Sequence, residues 1–123
     1  SEAVALIEIT KSNGQTTSKK IKEFFQDNIT LEYAPEIIVS SIRTYFLRYP
    51  LRCLFEKEEN YFVIQSEMLN IIGTGLTKED AEISFSEEFD YIYKRYNSLD
   101  NTKLTTNNVL IKSILNQIVD RFE

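Results

Sequence analysis

The side chains that could do chemistry in this sequence are carboxylates, lysines and tyrosines, because the 123-residue chain has no histidine and one cysteine, Cys53. Without histidine there is no Ser-His-Asp or Cys-His nucleophile and no histidine-ligated zinc. An enzyme built from the remaining groups would depend on other general acids and bases or on carboxylate-bound Mg²⁺. No catalytic motif is recognisable, so the sequence favours a protein without catalytic activity, metal or cofactor.

Carboxylates are concentrated in the second half of the chain. The acidic side chains there are Glu79, Asp80, Glu82, Glu87, Glu88 and Asp90. Paired carboxylates can hold Mg²⁺ or Ca²⁺ or act as general acid and base, but no spacing matches an EF-hand loop. On a helix, Glu87 and Glu88 point away from the phenylalanine stripe. We therefore expect a solvated acidic face that would steer a basic partner, with a carboxylate-dependent metal enzyme as a rival hypothesis.

Residues 73–77, Gly-Thr-Gly-Leu-Thr, stand between a predicted strand and a predicted helix. Backbone N–H groups at a helix N-terminus favour anions, which suggests a phosphate site. The spacing is neither a P-loop nor a dinucleotide-binding fingerprint, and two acids in the next turn would repel a phosphate. We prefer a turn in which Gly73 and Gly75 adopt conformations closed to other residues. Thr77 then caps the helix, with Asp80 as its capping-box partner.

A basic and aromatic segment runs from Arg43 to Arg52, up to the start of the predicted meander. Its candidate interface residues are Arg43, Tyr45, Arg48, Tyr49 and Arg52. Arginine and tyrosine are enriched at protein interfaces and at surfaces that contact RNA. We weigh three interpretations, of which the first is preferred: structural pairing with acidic segments, a protein interface, and a nucleic-acid interface. The formal net charge of −5 gives no general attraction to nucleic acid.

Hydrophobic periodicity predicts the elements that must position these side chains. An apolar stripe with steps of three and four residues predicts a helix from about residue 78 to 98. The stripe consists of Ala81, Phe85, Phe89, Ile92, Tyr96 and Leu99. Residues 51–72 contain three short strand-like runs joined by tight polar connections. The sequence therefore predicts an α+β fold in which a long helix packs on one face of an antiparallel meander.

The remaining segments give weaker signals. Residues 3–9 favour a strand and residues 18–27 a short N-terminal helix. Residues 36–49 fit both a helical stripe and strand propensities, and we favour extended structure in their second half. A C-terminal helix over residues 105–122 has an apolar face so broad that we expect it to support a homo-oligomer. The candidate dimer contacts are Leu110, Ile114, Ile118 and Phe122.

The bulk composition is that of one globular domain covering residues 1–123. Hydrophobic residues make up 42% and charged residues 27% of the chain, which suffices for a core without metals or disulfides. No run approaches the roughly 20 apolar residues that cross a bilayer, and the N-terminus has no secretory signal pattern. With a single cysteine and no membrane segment, we expect a cytoplasmic protein.

The middle of the chain, residues 51–96, resembles the HicB-like antitoxin family. The residues that match the family's G-x-T-x-x-E-A element are Gly75, Thr77, Asp80 and Ala81, with aspartate in place of glutamate. The resemblance implies a three-stranded meander with a helix across one face, a reduced RNase-H-like arrangement. It also implies occlusion of a small RNA-cleaving toxin and, in many members, DNA binding through a C-terminal module.

We therefore expect a non-catalytic binding protein that occludes a small protein partner, such as a basic toxin. The alternative is a small nucleic-acid-binding regulator that uses the segment from Arg43 to Arg52. Two features depart from the family. Residues 1–50 have no counterpart in its minimal form, and residues 105–122 supply only one helix, too little for a helix-turn-helix.

Overall fold

The structure is a computed structural model that describes residues 30–123. That part of the chain forms two antiparallel sheets and two α-helices, so the α+β class is confirmed. The strand predicted for residues 3–9 and the N-terminal helix predicted for residues 18–27 lie outside the described residues.

The larger sheet contains the predicted meander and one further strand. Its strands are β1 (Thr30–Tyr33), β4 (Cys53–Lys57), β5 (Phe62–Ser66) and β6 (Ile71–Gly75), in the order β1-β4-β5-β6. Across the meander, Phe55 pairs with Ile64 and Ile64 with Gly73, which places all three on the inner face. β1, which pairs with β4 and sets Tyr33 opposite Cys53, was not predicted from the sequence.

The smaller sheet is built from the ambiguous segment and the C-terminus. Its strands are β2 (Ile37–Val39), β3 (Thr44–Leu47) and β7 (Val119–Phe122), in the order β2-β3-β7. The extended structure predicted for the second half of residues 36–49 is confirmed. Ile38 and Tyr45 pair across β2 and β3 and are both buried. The strand alternation therefore accounts for their burial, and the helical alternative is wrong.

The predicted long helix is confirmed as α1 (Lys78–Ser98). The Thr77 hydroxyl caps it by accepting a 3.0 Å hydrogen bond from the backbone N–H of Asp80. Its buried stripe consists of Ala81, Phe85, Phe89 and Ile92. The helix contacts β5 and β6 on one side and β2 and the second helix on another. Full burial of each phenylalanine contributes about 1.5–3 kcal/mol, so this stripe is the centre of the core.

The prediction of a glycine turn before α1 is wrong. Gly73 and Gly75 both lie within β6, and neither has the positive φ that a turn would require. Both face the helix, which approaches so closely that a Cβ on Gly73 would collide with the backbone of Phe85. A Cβ on Gly75 would lie 2.5 Å from the backbone nitrogen of Ala81. Glycine is needed here for close packing of strand and helix, not for backbone freedom.

The C-terminal helix is shorter than predicted. A 3₁₀ turn (Asn101–Lys103) leads into α2 (Thr106–Ile118), and the chain then becomes β7. The predicted helix over residues 105–122 is therefore wrong beyond Ile118. Phe122 pairs with Tyr45 on β3, and the backbones of Glu123 and Thr44 exchange hydrogen bonds of 2.9 and 3.0 Å. Pairing with β3 gives the backbone N–H and C=O groups of residues 119–123 hydrogen-bond partners that they would lack at an exposed helix end.

Candidate functional site

The basic and aromatic segment does not form one surface. Tyr45 is fully buried, and its ring packs against Phe89, Tyr93 and Phe122 with centroid distances of 5.3, 5.0 and 5.7 Å. A side chain in that position has no face left for a partner. Its place is explained by β3, which points alternate residues into the core.

Arg43 and Asp90 form an ion pair that also includes the Tyr45 hydroxyl. The Arg43 Nε donates to Asp90 Oδ1 at 2.7 Å, and the second guanidinium bond, from Nη2 to Oδ2, is 3.3 Å. The Tyr45 hydroxyl donates to Asp90 Oδ1 at 2.5 Å and accepts from Arg43 Nε at 3.2 Å. These contacts tie β3 to the middle of α1. The preferred interpretation of structural pairing with the acidic helix therefore describes Arg43 correctly.

The pKa shifts in this group follow from its burial and its hydrogen bonds. Burial tends to raise the pKa of Asp90, but the bonds from Arg43 and Tyr45 outweigh it and hold the pKa below its ordinary value. Burial, together with the bond to Asp90, raises the pKa of Tyr45. The bond to Asp90 also raises the pKa of Arg43. At neutral pH the group consists of an arginine cation, a carboxylate and a neutral phenol, and each of the three is hydrogen-bonded to the others. We therefore assign this group a structural role.

The other predicted interface residues point to separate places. Arg48 donates to Asp120 at 3.0 Å and to the carbonyl oxygen of Gln117 at 3.1 Å, so it joins β3 to the C-terminus. Arg52 lies 3.7 Å from Glu32 across the edge of the larger sheet, with both side chains largely exposed. Tyr49 is half exposed. The five candidates are therefore distributed over three separate contacts and one half-exposed ring.

The acidic face of α1 is only partly solvated. Glu88 is exposed as expected. Glu87 accepts hydrogen bonds from the backbone N–H and the hydroxyl of Ser41, at 2.8 and 3.0 Å. Asp90 is buried, contrary to the expectation of a solvated face. It lies one position beyond Phe89 on the side that meets β3, where Arg43 compensates its charge. The expectation is wrong for Asp90 because the smaller sheet covers that side.

A groove between β2 and the first turns of α1 was not predicted from the sequence. Its volume is about 290 Å³. It is lined by Tyr33, Ile37, Val39, Glu79, Glu82, Ile83 and Ser86. Ile37, Val39 and Ile83 are 53%, 60% and 59% exposed. One sequence signal pointed here: Ile83 is an apolar residue outside the phase of the α1 stripe.

Charge in the groove is negative. Glu79 and Glu82 lie on its helical wall, and no ion pair within residues 30–123 involves either of them. Burial, and then the nearby carboxylate of Glu82, raise the pKa of Tyr33 to about 12, so its phenol stays neutral. The groove therefore offers apolar surface beside two carboxylates.

A second hollow, of about 320 Å³, lies where β4 begins and β5 ends in the larger sheet. Leu54 and Gln65, which pair across β4 and β5, line it together with Met68, and Leu54 and Met68 are about half exposed. Cys53 borders this hollow, but burial raises the pKa of its thiol to about 12. A thiol held neutral in this way is a poor nucleophile.

The predicted dimer contacts also separate. Ile118 is buried in the core of its own chain and Ile114 packs partly against that core. Phe122 lies on β7 and contacts Tyr45 and Tyr93, and Lys94 lies over its ring. Of the four, Leu110 on α2 is 58% exposed and Phe122 on β7 is 43% exposed within the described part of the chain. The structure therefore does not group the four side chains on one helical face, and the homo-oligomer stays a prediction.

Within residues 30–123, no three or more histidine, cysteine, aspartate or glutamate side chains converge to hold a metal ion. No helix in that part is long and apolar enough to cross a membrane. Comparisons of the chain with protein-family models, with curated proteins and with solved structures find no match.

Proposed function

We propose that the protein is a non-catalytic binding protein that occludes a protein partner in the groove between β2 and α1. The observation that carries the proposal is the grouping of Ile37, Val39 and Ile83, each more than half exposed, beside two carboxylates. Single exposed apolar side chains need no explanation, whereas adjacent ones rimmed by polar groups are typical of interaction sites. The groove therefore has the composition of an interface core with an acidic rim.

The charge of the groove selects the partner. Glu79 and Glu82 have no cationic partner within the described residues, and the whole chain carries a formal net charge of −5. A basic protein would supply the missing cations and gain from the field of the whole molecule. This agrees with the small basic partner expected from the sequence.

Within this proposal, we take the protein to be of the HicB-like antitoxin kind. The support is the meander β4-β5-β6 followed directly by α1, with Gly75, Thr77, Asp80 and Ala81 at the junction. β1 and the smaller sheet are additions to the arrangement that the resemblance implies. The partner would then be a small RNA-cleaving toxin acting in the cytoplasm.

Within residues 30–123, no observation favours the alternative function, a nucleic-acid-binding regulator. Its segment contains Tyr45, which is buried, and Arg43 and Arg48, which are engaged in ion pairs.

The test is co-expression with the product of the neighbouring gene. The tagged full-length protein should co-purify with that product and suppress its RNA cleavage, because the active surface is covered. Ile83→Arg should weaken the binding by at least about tenfold, since it places a cation where the partner is basic and loses an apolar contact. Calorimetric titration of the purified proteins measures this.

The matched control is Tyr91→Arg, because Tyr91 lies on the same helix with the same 59% exposure but outside the groove. It should bind like the unmodified protein. If the neighbouring product does not bind, the antitoxin role is rejected. If Ile83→Arg and Tyr91→Arg bind equally well, the groove is not the interface.

A further inference from the structure

The edge of β2 that borders the groove carries backbone groups without partners in the described structure. The backbone bonds from Leu47 to Glu36 and from Ser40 to Arg43 show which residues of β2 face β3. In an antiparallel pair these alternate with residues whose N–H and C=O groups point the other way. Ile37 and Val39 occupy the alternate positions, opposite Phe46 and Thr44.

Ile37 and Val39 therefore direct two N–H and two C=O groups away from β3. No strand within residues 30–123 lies on that side of β2, and none of the hydrogen bonds in that part involves these groups. Proteins usually protect such an edge with lysine, proline or a covering segment, because it pairs readily with another strand. Here the edge is Ile37-Ile38-Val39, without a charge.

The same two residues line the groove with their side chains. An extended segment paired to β2 would satisfy the free backbone groups and lay alternate side chains on Ile83. Glu79 and Glu82 would lie beside it. One extended segment could therefore both pair with the β2 backbone and occupy the groove.

We propose that the partner binds by adding a strand to β2, and that the added segment is an extended, lysine- or arginine-bearing stretch with apolar residues at alternate positions. This rests on the proposed binding function and specifies how the partner binds. Electrostatic repulsion argues against a second copy of this chain as the occupant. Two β2 strands paired edge to edge would bring together Glu36, Glu79 and Glu82 of both molecules, each with a net charge of −5.

The decisive variant is Val39→Pro in the full-length protein. Proline removes the N–H at this position and blocks the edge, whereas the bonds between β2 and β3 use residues 36, 38 and 40. Val39→Ala is the matched control, because it shortens the same side chain and keeps the N–H. Val39→Pro should weaken binding of the neighbouring-gene product at least about tenfold, and Val39→Ala by less than about threefold.

A second measurement uses a defined probe, a blocked six-residue peptide of alternating valine and lysine. Its addition should slow hydrogen exchange of the Ile37 and Val39 amides in the unmodified protein, because those N–H groups become bonded. A peptide of alternating valine and glutamate should not. In the double variant Glu79→Lys, Glu82→Lys, the lysine peptide should protect the Ile37 and Val39 amides less from hydrogen exchange. This measurement remains valid even if the protein does not tolerate proline at position 39.

The outcomes separate this inference from the proposed function. If the neighbouring product binds Val39→Pro as tightly as the unmodified protein, strand addition is rejected and the binding function stands. Amides of Ile37 and Val39 that stay unprotected with the lysine peptide also reject it. Protection already present without peptide would mean that another occupant holds the edge: a second copy if it depends on protein concentration, or this chain's own residues if it does not.

Discussion

Asp90 shows how a single residue changes role with its environment. It belongs by sequence to an acidic run, yet it is 6% exposed and accepts bonds from Arg43 and Tyr45. A carboxylate that loses water must regain its interactions from the protein, and here a cation and a phenol supply them. Its contribution to stability is therefore tied to its ionised form.

Asp90→Asn should lower the free energy of unfolding at pH 7 by about 2–3 kcal/mol, because bonds to a charged acceptor become bonds to a neutral one. The pKa of Asp90 in the folded protein is lower than its ordinary value of about 3.9. Its contribution is thus complete above about pH 5 and is lost as the pH falls through the folded pKa. Urea unfolding from pH 7 to 3 should show the two proteins converging at the acid end.

The control is Asp120→Asn. Its pair with Arg48 has nearly the same length, 3.0 Å, but the two side chains are 53% and 46% exposed. Exposed pairs contribute about 0–1 kcal/mol, so this change should be small. A cost for Asp90→Asn that is equally small, or that does not vary with pH, would contradict the role given to the buried pair.

At this scale the sequence predicted types of interaction better than partners. An arginine among aromatics pointed correctly to pairing with the acidic helix, since Arg43 has a charge that must be neutralised when half-buried. It did not identify Asp90, because the helical stripe alone leaves that position beside the core and only the smaller sheet covers it. Nor did it separate buried Tyr45 from half-exposed Tyr49 while the strand phase was open.

At the scale of elements, local signals decided success. The stripe and the Thr77 cap located α1 at both ends, since periodicity and capping are properties of the helix itself. β7 was missed because Val119 and Phe122 continue the helical spacing of α2. Only the presence of β3 as a partner turns them into a strand. β1 was missed for the same reason, since its pairing with β4 is not local.

The close approach of β6 and α1 makes a prediction at this scale. Gly73→Ala should destabilise the protein by about 1–3 kcal/mol or more, because the methyl group collides with the backbone of Phe85, which no side-chain rotation can relieve. Thermal unfolding measures the loss. Thr74→Ala, on the exposed side of the same strand, should change stability by about 0.5 kcal/mol or less. Equal melting temperatures for both variants would disprove the packing role of Gly73.

At the scale of the whole molecule, α1 packs against two sheets that have different roles. Its inner stripe packs on the larger sheet, and its first turns form the groove with β2 of the smaller one. The meander with its helix could be predicted from alternation and periodicity. The groove could not, because it requires two segments about 40 residues apart in sequence, Ile37–Val39 and the start of α1, to lie side by side.

The charge of the molecule yields a last prediction for binding to the neighbouring-gene product. A protein of net charge −5 with an acidic groove should attract a basic partner from a distance. Raising the salt concentration to about 0.5 M should slow association by about tenfold, because the attraction is screened beyond a few ångströms. Dissociation should change little, since the apolar contacts and backbone bonds that hold the bound segment depend less on salt. Stopped-flow mixing measures both rates.

The control is the double variant Glu79→Gln, Glu82→Gln, whose association rate should depend less on salt concentration. If the association rate of the unmodified protein does not change with salt concentration, the carboxylates do not recruit the partner.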